Sequence, residues 1–267
     1  MTAIRIGVQL APEHSNYAAY AQTVRQVEAL GVDSIWNWDH FFPPFPNAQL
    51  PRGTVNQERG YHFEAWTLLT AMAMLTRRAE VGCLVTCNSY RNPALLANMA
   101  KTVDHISSGR LILGIGAGWF QRDYREYGYY YGADRERLQA LEQTLRLVKE
   151  RWTVELPPPM RKIPILIGGE GEKVTLRLTA QYADMWNGGA APERYRHKCA
   201  VLDEWCAKVG RDPASIERTV AVDDLVDPAA WDAYVETGAR HIILMLGAPW
   251  DMHSVEELLA WREQSQR

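Results

Sequence analysis

The sequence predicts an α/β barrel of eight strand–helix units, and three observations carry that expectation. Short apolar runs alternate with amphipathic stretches along the whole chain. The length of 267 residues is close to the ~250 typical of one such barrel. Polar and aromatic residues gather just after the apolar runs, at the strand ends where barrel active sites lie.

The units follow in order. An apolar run at residues 4–10 precedes apolar residues at helical spacing over 17–30, and Gly31 supplies the stop. A strand at 34–38 and a helix at 64–76 repeat the beat. A strand at 79–86 then leads to a helix at 93–106, with Asn92 and Pro93 as its N-cap and first residue and Gly109 beyond its end. The fourth strand, 111–115, runs through a long aromatic loop to a Leu- and Glu-rich helix at 135–152. The fifth and sixth units pair strand 163–167 with helix 173–182 and strand 184–187 with helix 193–209. Strand 216–222 with a short helix at 229–237, and strand 241–246 with a helix at 255–262, complete eight. Alternation alone also fits a doubly wound open sheet, and the length favours closure. Pro157, Pro158 and Pro159 read as a loop inside one domain spanning 1–267, because each half has too few strands to close alone.

Composition narrows the function classes. A hydrophobic share of 47% with 23% charged residues is that of a folded globular chain. The net charge is -3 and there is no long basic run, so nucleic acid is not an expected partner. The longest apolar stretches are about half the ~20 residues of a membrane span, and no membrane association is expected. Cys83, Cys87, Cys199 and Cys206 show no CxxC spacing and no apolar leader precedes the first charges, which points to a reducing cytoplasm. No His, Cys and carboxylate set has metal-ligand spacing, so no metal is expected.

Four strand ends carry candidate chemistry. After the second strand, Trp36, Asn37, Trp38, Asp39, His40, Phe41 and Phe42 mix polar groups with rings, a wall suited to a planar ligand or a capped, covered rim. The third strand ends in Cys83, Leu84, Val85, Thr86, Cys87 and Asn88, of which Thr86 and Asn88 are the suggestive pair. The fourth runs into Gly114, Ile115, Gly116, Ala117, Gly118 and Trp119, which is no dinucleotide fingerprint but either a tight barrel corner or a close approach of backbone to ligand. The fifth delivers Gly168, Gly169, Glu170, Gly171, Glu172 and Lys173 into a helix. Free N–H groups at such an end favour phosphate, although glycines also make ordinary turns and the two glutamates oppose an anion unless they point away.

Taken together, residues 6–10, 36–42, 82–93, 102–119 and 165–187 resemble the luciferase-like monooxygenase superfamily, in particular its compact branch of F420-dependent oxidoreductases. The resemblance covers most of the chain. It implies a (β/α)8 barrel with shortened insertions, a homodimer, a small-molecule substrate, and hydride transfer between C5 of the deazaflavin coenzyme F420 and that substrate. It places Asp39 and His40 near the reactive edge, with His40 as acid or base because histidine exchanges protons near neutral pH and Asp39 as the carboxylate that biases it. Cys83, Leu84 and Thr86 match a third strand with a cis-peptide bulge behind the ring, expected at Cys83–Leu84. Gly116, Ala117, Gly118 and Trp119 would line the ring pocket, and Gly168, Gly169, Glu170 and Gly171, with Asn187 and Gly188 close by, would hold the phosphate-bearing tail.

Two departures accompany the resemblance. Trp119 stands where sugar-phosphate-oxidising members have a glutamate, and the stretch 152–163 is short, which leaves the pocket more open. The competing readings are an FMN-dependent monooxygenase on the same barrel and a deazaflavin-binding protein without chemistry. A hydrolase has no support, since no GxSxG elbow is present. Tyr124, Tyr127, Tyr129, Tyr130 and Tyr131 form either an interface patch or a lid.

Overall fold

The computed structural model describes residues 4–44, 61–189, 191–223 and 229–265. Its strands are β1 (Arg5–Leu10), β2 (Ser34–Asn37), β3 (Glu80–Cys83), β4 (Thr86–Cys87), β5 (Leu111–Gly116), β6 (Ile165–Gly168), β7 (Met185–Gly188), β8 (Glu217–Asp223) and β9 (His241–Leu246). Between and after them run α1 (Tyr17–Leu30), α2 (Ala65–Leu75), α3 (Pro93–Ile106), α4 (Gln121–Tyr127), α5 (Asp134–Val154), α6 (Thr175–Tyr182), α7 (Pro192–Val209), α8 (Ala229–Glu236) and α9 (Met252–Ser265). All the strand pairings are parallel, and β1 pairs with both β2 and β9. Because β3 also pairs with β5, the sheet closes into an eight-position barrel in which β3 and β4 share one position. Among the described residues no helix is long and apolar enough to cross a membrane.

The expected third strand is one continuous run, whereas the structure divides it. The nonproline cis peptide lies at Leu84–Val85, one residue later than expected. Cys83 still pairs with Asn37 of β2, and the Leu84 N–H still donates to the Asn37 carbonyl at 2.7 Å, so the chain leaves the sheet only beyond that bond. The other correction is α4, which stands inside the expected aromatic loop. Its seven residues are too few to show a hydrophobic period.

Helix ends follow capping chemistry. Asn16 accepts from the Ala19 N–H at 3.0 Å, and Asn92 accepts from the Ala94 N–H at 2.9 Å with Pro93 at the first turn. Gly31 closes α1 at φ 89°, the left-handed conformation that glycine adopts without cost. Tyr20, Ala21, Val24 and Val27 recur at helical spacing on the face of α1 that packs on the sheet.

Alternation along the strands sends one set of side chains to the helices and the other into the barrel. At the amino-terminal mouth, Arg5 is paired with Glu80 and donates to both Glu217 oxygens at 3.1 and 3.0 Å, while Arg161 donates to Glu80 at 2.6 Å. Above this charged plug, Trp36 lies among Ile112, Leu166, Met185 and Ile243, and its Nε1 donates to the Ser34 hydroxyl at 2.6 Å. Gly82 stands opposite Trp36 in register, and a Cβ there would lie 2.6 Å from the indole. Only a bare backbone leaves room for this ring.

Gly114 is tighter still, because its Cβ would fall 2.0 Å from the Cys83 carbonyl oxygen, a backbone atom that cannot swing aside. Gly114→Ala is expected to cost about 3 kcal/mol or more in urea unfolding, the upper part of the overpacking range. Gly31→Ala, with open space around it, should cost only about 1 kcal/mol for its left-handed backbone. Equal losses in the two variants would show that the close approach at Gly114 is not a constraint.

Candidate active site

A cavity of about 410 Å3 opens at the carboxyl ends of the strands. This lies within the range of small-molecule sites, roughly 300–1,000 Å3. Of the residues expected at the site, Asp39, His40, Leu84, Thr86, Gly116, Ala117, Gly118, Trp119, Gly168, Gly169 and Asn187 line it. Cys83, Glu170, Gly171 and Gly188 are outside the lining. The Cys83 side chain points outward into the core between sheet and helices, as alternation along β3 requires. Gly188 is packed against Trp186 and Tyr195, where a Cβ would lie 3.0 and 3.1 Å from their rings.

His40 and Asp39 are adjacent in sequence but differ in what they can do. The buried Asp39 carboxylate accepts from Arg91 Nη1 at 2.5 Å, Arg91 Nη2 at 3.0 Å and the Cys87 N–H at 3.0 Å. Burial raises its pKa and the Arg91 guanidinium opposes that, while Arg91, whose own burial favours the neutral form, is held above its ordinary value by Asp39 and Glu64. Asp39 therefore fixes the backbone around the site, and His40 is the ring that stands beside it in the cavity wall.

The carboxylate that orients His40 comes from α4. Asp123 is fully buried and accepts from His40 Nδ1 at 2.8 Å, the Phe41 N–H at 3.1 Å, the Phe42 N–H at 3.2 Å and the Tyr90 hydroxyl at 2.9 Å. The contact occupies Nδ1, so Nε2 is the ring nitrogen available to the cavity that His40 lines. This is the base-and-orienter arrangement of acid–base sites. Sequence reading missed Asp123 because it lies 83 residues from its partner, in a segment without periodicity. Gln9, Val85, Cys87, Tyr90, Thr175 and Met245 also line the cavity. Gln9 alone carried a usable signal, as a polar residue at an inward position of an otherwise apolar strand.

The remaining wall is built from glycines and rings. The Val85 side chain fills the space in front of Gly116 and Gly168, where a Cβ would lie 2.8 and 2.9 Å from it. Gly118 has φ +82°, and a Cβ there would fall 2.0 Å from the Tyr124 hydroxyl. Burial pushes the Cys87 thiol up to about 11, so it stays a neutral thiol, 3.2 Å from the Tyr124 hydroxyl. In the tyrosine segment, Tyr124 is buried, Tyr127 stacks on Phe41 at 3.9 Å, and the Tyr131 hydroxyl donates to the Trp119 carbonyl at 3.0 Å.

On the far side, Gly169 at φ +123° bends the chain away from β6, and Trp186 Nε1 donates to its carbonyl at 2.9 Å. The two glutamates of this loop are engaged elsewhere. Glu170 accepts from the Gly189 N–H at 3.0 Å and pairs with Arg194 at 3.0 Å, and Glu172 pairs with Lys198 at 2.5 Å and His197 at 3.0 Å. Helix α6 begins at Thr175, two residues later than the sequence predicts.

A closed parallel barrel with a cavity at its carboxyl mouth, and a carboxylate-held histidine in the cavity wall, is the architecture of a barrel enzyme. The family model described as luciferase-like monooxygenase matches residues 1–266, and the chain belongs to that family of oxidoreductases. It is 29% identical over 267 residues to a phthiodiolone/phenolphthiodiolone dimycocerosates ketoreductase of Mycobacterium tuberculosis (strain H37Rv), covering 85% of this chain and 67% of that protein. It is 28% identical over 151 residues to an F420-dependent glucose-6-phosphate dehydrogenase of Amycolatopsis mediterranei, covering 56% of this chain and 42% of that one. The solved structure of an F420-dependent secondary alcohol dehydrogenase with an F420–acetone adduct superimposes with a TM-score of 0.82 at 16% identity, covering 98% of this chain and 99% of the other.

A second unpredicted acid lies behind the wall. Glu13, 4% exposed, accepts from Trp38 Nε1 at 3.1 Å and lies 3.5 Å from His62 Nε2. Burial pushes the Glu13 carboxyl up to about 8 and the His62 imidazole down to about 4, from ordinary values of 4.5 and 6.5. Between pH 4.5 and 6.5 the folded state holds an extra proton on Glu13 while the unfolded chain gains one on His62, and the two slopes oppose each other. From pH 6.5 to 8 only Glu13 acts, and stability falls as pH rises because the unfolded carboxyl has already lost its proton. At about 1.36 kcal/mol per pH unit, the loss across this window is on the order of 2 kcal/mol. Urea unfolding should show that loss in the native chain and its near absence in Glu13→Gln; matching slopes would remove the assignment.

Proposed function

We propose that the protein is an F420-dependent oxidoreductase that moves a hydride between the deazaflavin C5 and a small organic substrate. The carrying observation is His40, held by Asp123 at 2.8 Å in the wall of the carboxyl-end cavity. The cavity suits a flat, heteroatom-edged ring. Gln9 Oε1 is buried in its lining without a hydrogen-bond partner and offers an acceptor to a ring N–H. The Gln9 amide is already fixed, since its Nε2 donates to the Leu84 carbonyl at 2.7 Å.

In this reading Leu84, Thr86, Gly116, Ala117 and Gly118 hold the ring and Gly168, Gly169 and Asn187 face the phosphate-bearing tail, whereas Glu170, Gly171 and Gly188 lie outside the lining and take no part. The bound deazaflavin supplies two-electron hydride chemistry. His40 supplies or takes the accompanying proton at Nε2, while Asp123 keeps the ring oriented and stabilises its charged form. The F420-dependent relative supports this cofactor. The family's description as a luciferase-like monooxygenase favours oxygenation as the second reading, with FMN as the cofactor to test.

Titration of the apoprotein with F420 and with FMN under identical conditions separates the two, and tighter F420 binding is expected. With F420 loaded and a panel of enone, imine and nitro acceptors, His40→Ala should slow single-turnover hydride transfer by about 10²–10⁴-fold, the usual share of a general acid or base. F420 affinity should stay within about twofold, because the cofactor contacts assigned here lie elsewhere. Asp123→Asn should slow the same step by a smaller factor. Unchanged single-turnover rates in His40→Ala would remove its role, and preferential FMN binding would move the assignment to the oxygenase.

A further inference from the structure

We infer that the site takes an uncharged, ring-bearing substrate stacked at Trp119 beside His40, and that it turns anionic substrates away. This rests on the oxidoreductase reading for the reaction, but not for the selectivity itself.

The charge pattern comes first. Among the described residues that line the cavity there is no lysine or arginine. The arginines nearby are engaged in the framework: Arg91 with Asp39 and Glu64, and Arg137 with the carbonyls of Gly118 at 3.2 Å, Tyr131 at 3.1 Å and Gly132 at 2.8 Å. Arg122 lies over the Phe42 ring at 4.3 Å. Behind His40, the Asp123 carboxylate accepts from backbone amides, a tyrosine and His40 itself. A phosphate or carboxylate entering this wall would approach the buried Asp123 carboxylate and find no lysine or arginine among the described lining residues to replace its water.

The rings come second. Trp119 is 58% exposed, yet its backbone is fixed through the Tyr131 hydroxyl at 3.0 Å. Its indole meets His40 edge-on at 5.5 Å, and Phe120 braces both. Trp38 also meets His40 edge-on, at 6.5 Å, with Nε1 anchored on Glu13. An exposed indole held in place beside the proton-carrying group is a stacking platform whose covering is favourable and whose ordering cost is already met. A flat neutral ring reaches His40 along that platform.

The test uses a matched pair of probes, 1-naphthol and 1-naphthyl phosphate, followed by tryptophan fluorescence and calorimetry. It is run on the full chain loaded with whichever of F420 or FMN it binds, and on the unloaded chain if it binds neither. Probe selectivity is thus read separately from the cofactor assignment. Naphthol should bind at least about tenfold more tightly than its phosphate ester. Trp119→Ala should weaken naphthol binding about tenfold, the value of one aromatic contact, and Trp119→Phe should restore most of it. Equal or tighter binding of the phosphate ester overturns the proposal, and so does unchanged naphthol affinity in a Trp119→Ala chain whose circular dichroism is native. The probe comparison on the native chain stands even if that variant does not fold.

Discussion

The buried pair of Asp39 and Arg91 is the contact on which the geometry of the site depends. Asp39 ends the second strand unit and Arg91 precedes the third helix, and the guanidinium grips both carboxylate oxygens while the Cys87 N–H reaches the same group. Arg91 also reaches Glu64, which caps α2 through the N–H groups of Trp66 and Thr67. One ion pair thus ties the β2 loop, the divided third strand and the starts of two helices. Removing one partner would leave an uncompensated buried charge, which costs far more than the net worth of the intact pair.

His40 inherits its position from this clamp and its chemistry from another unit. The residue after Asp39 in the chain is set toward the cavity, but its ring is oriented only when α4 brings Asp123 beneath it. The amides of Phe41 and Phe42 close on the same carboxylate, so the β2 loop and the segment after β5 become one body. The division of labour is physical. Asp39, matched by a permanent cation, holds shape; Asp123, matched by two backbone amides, a tyrosine and an imidazole, orients that ring.

Strand and helix positions were legible because burial imposes periods of 2 and 3.6 on the sequence. The apolar runs and Gly31 mark their elements within a few residues, and the clusters after β2 and β5 mark the cavity wall. What escaped has no local period. The break at Leu84–Val85 falls within an apolar run that reads as continuous strand, and α4 has too few residues to show a face. Asp123 and Glu13 acquire meaning only from partners brought together by closure, His40 and Phe41 for one, Trp38 and His62 for the other. Lone carboxylates in a sequence are indistinguishable from solvated ones, and only burial separates them.

The two ends of the barrel show how one strand pattern serves both stability and binding. At the amino-terminal mouth the inward side chains answer one another, Arg5 with Glu80 and Glu217, His241 with Ser34. In the middle, Gly82 yields its space to Trp36, and the interior is filled. Toward the carboxyl mouth the inward positions are Gln9, Gly116, Gly168 and Asn187, small or polar groups around an open volume, and the buried acceptor Gln9 Oε1 there has no protein partner. Leaving buried acceptors unpaired costs stability, on the order of 1–3 kcal/mol each. A fold selected for stability alone would fill those positions as it fills the layer below. A donor-bearing ligand entering there would recover that cost, in keeping with the binding role proposed for this layer, and the packed layers beneath hold it open.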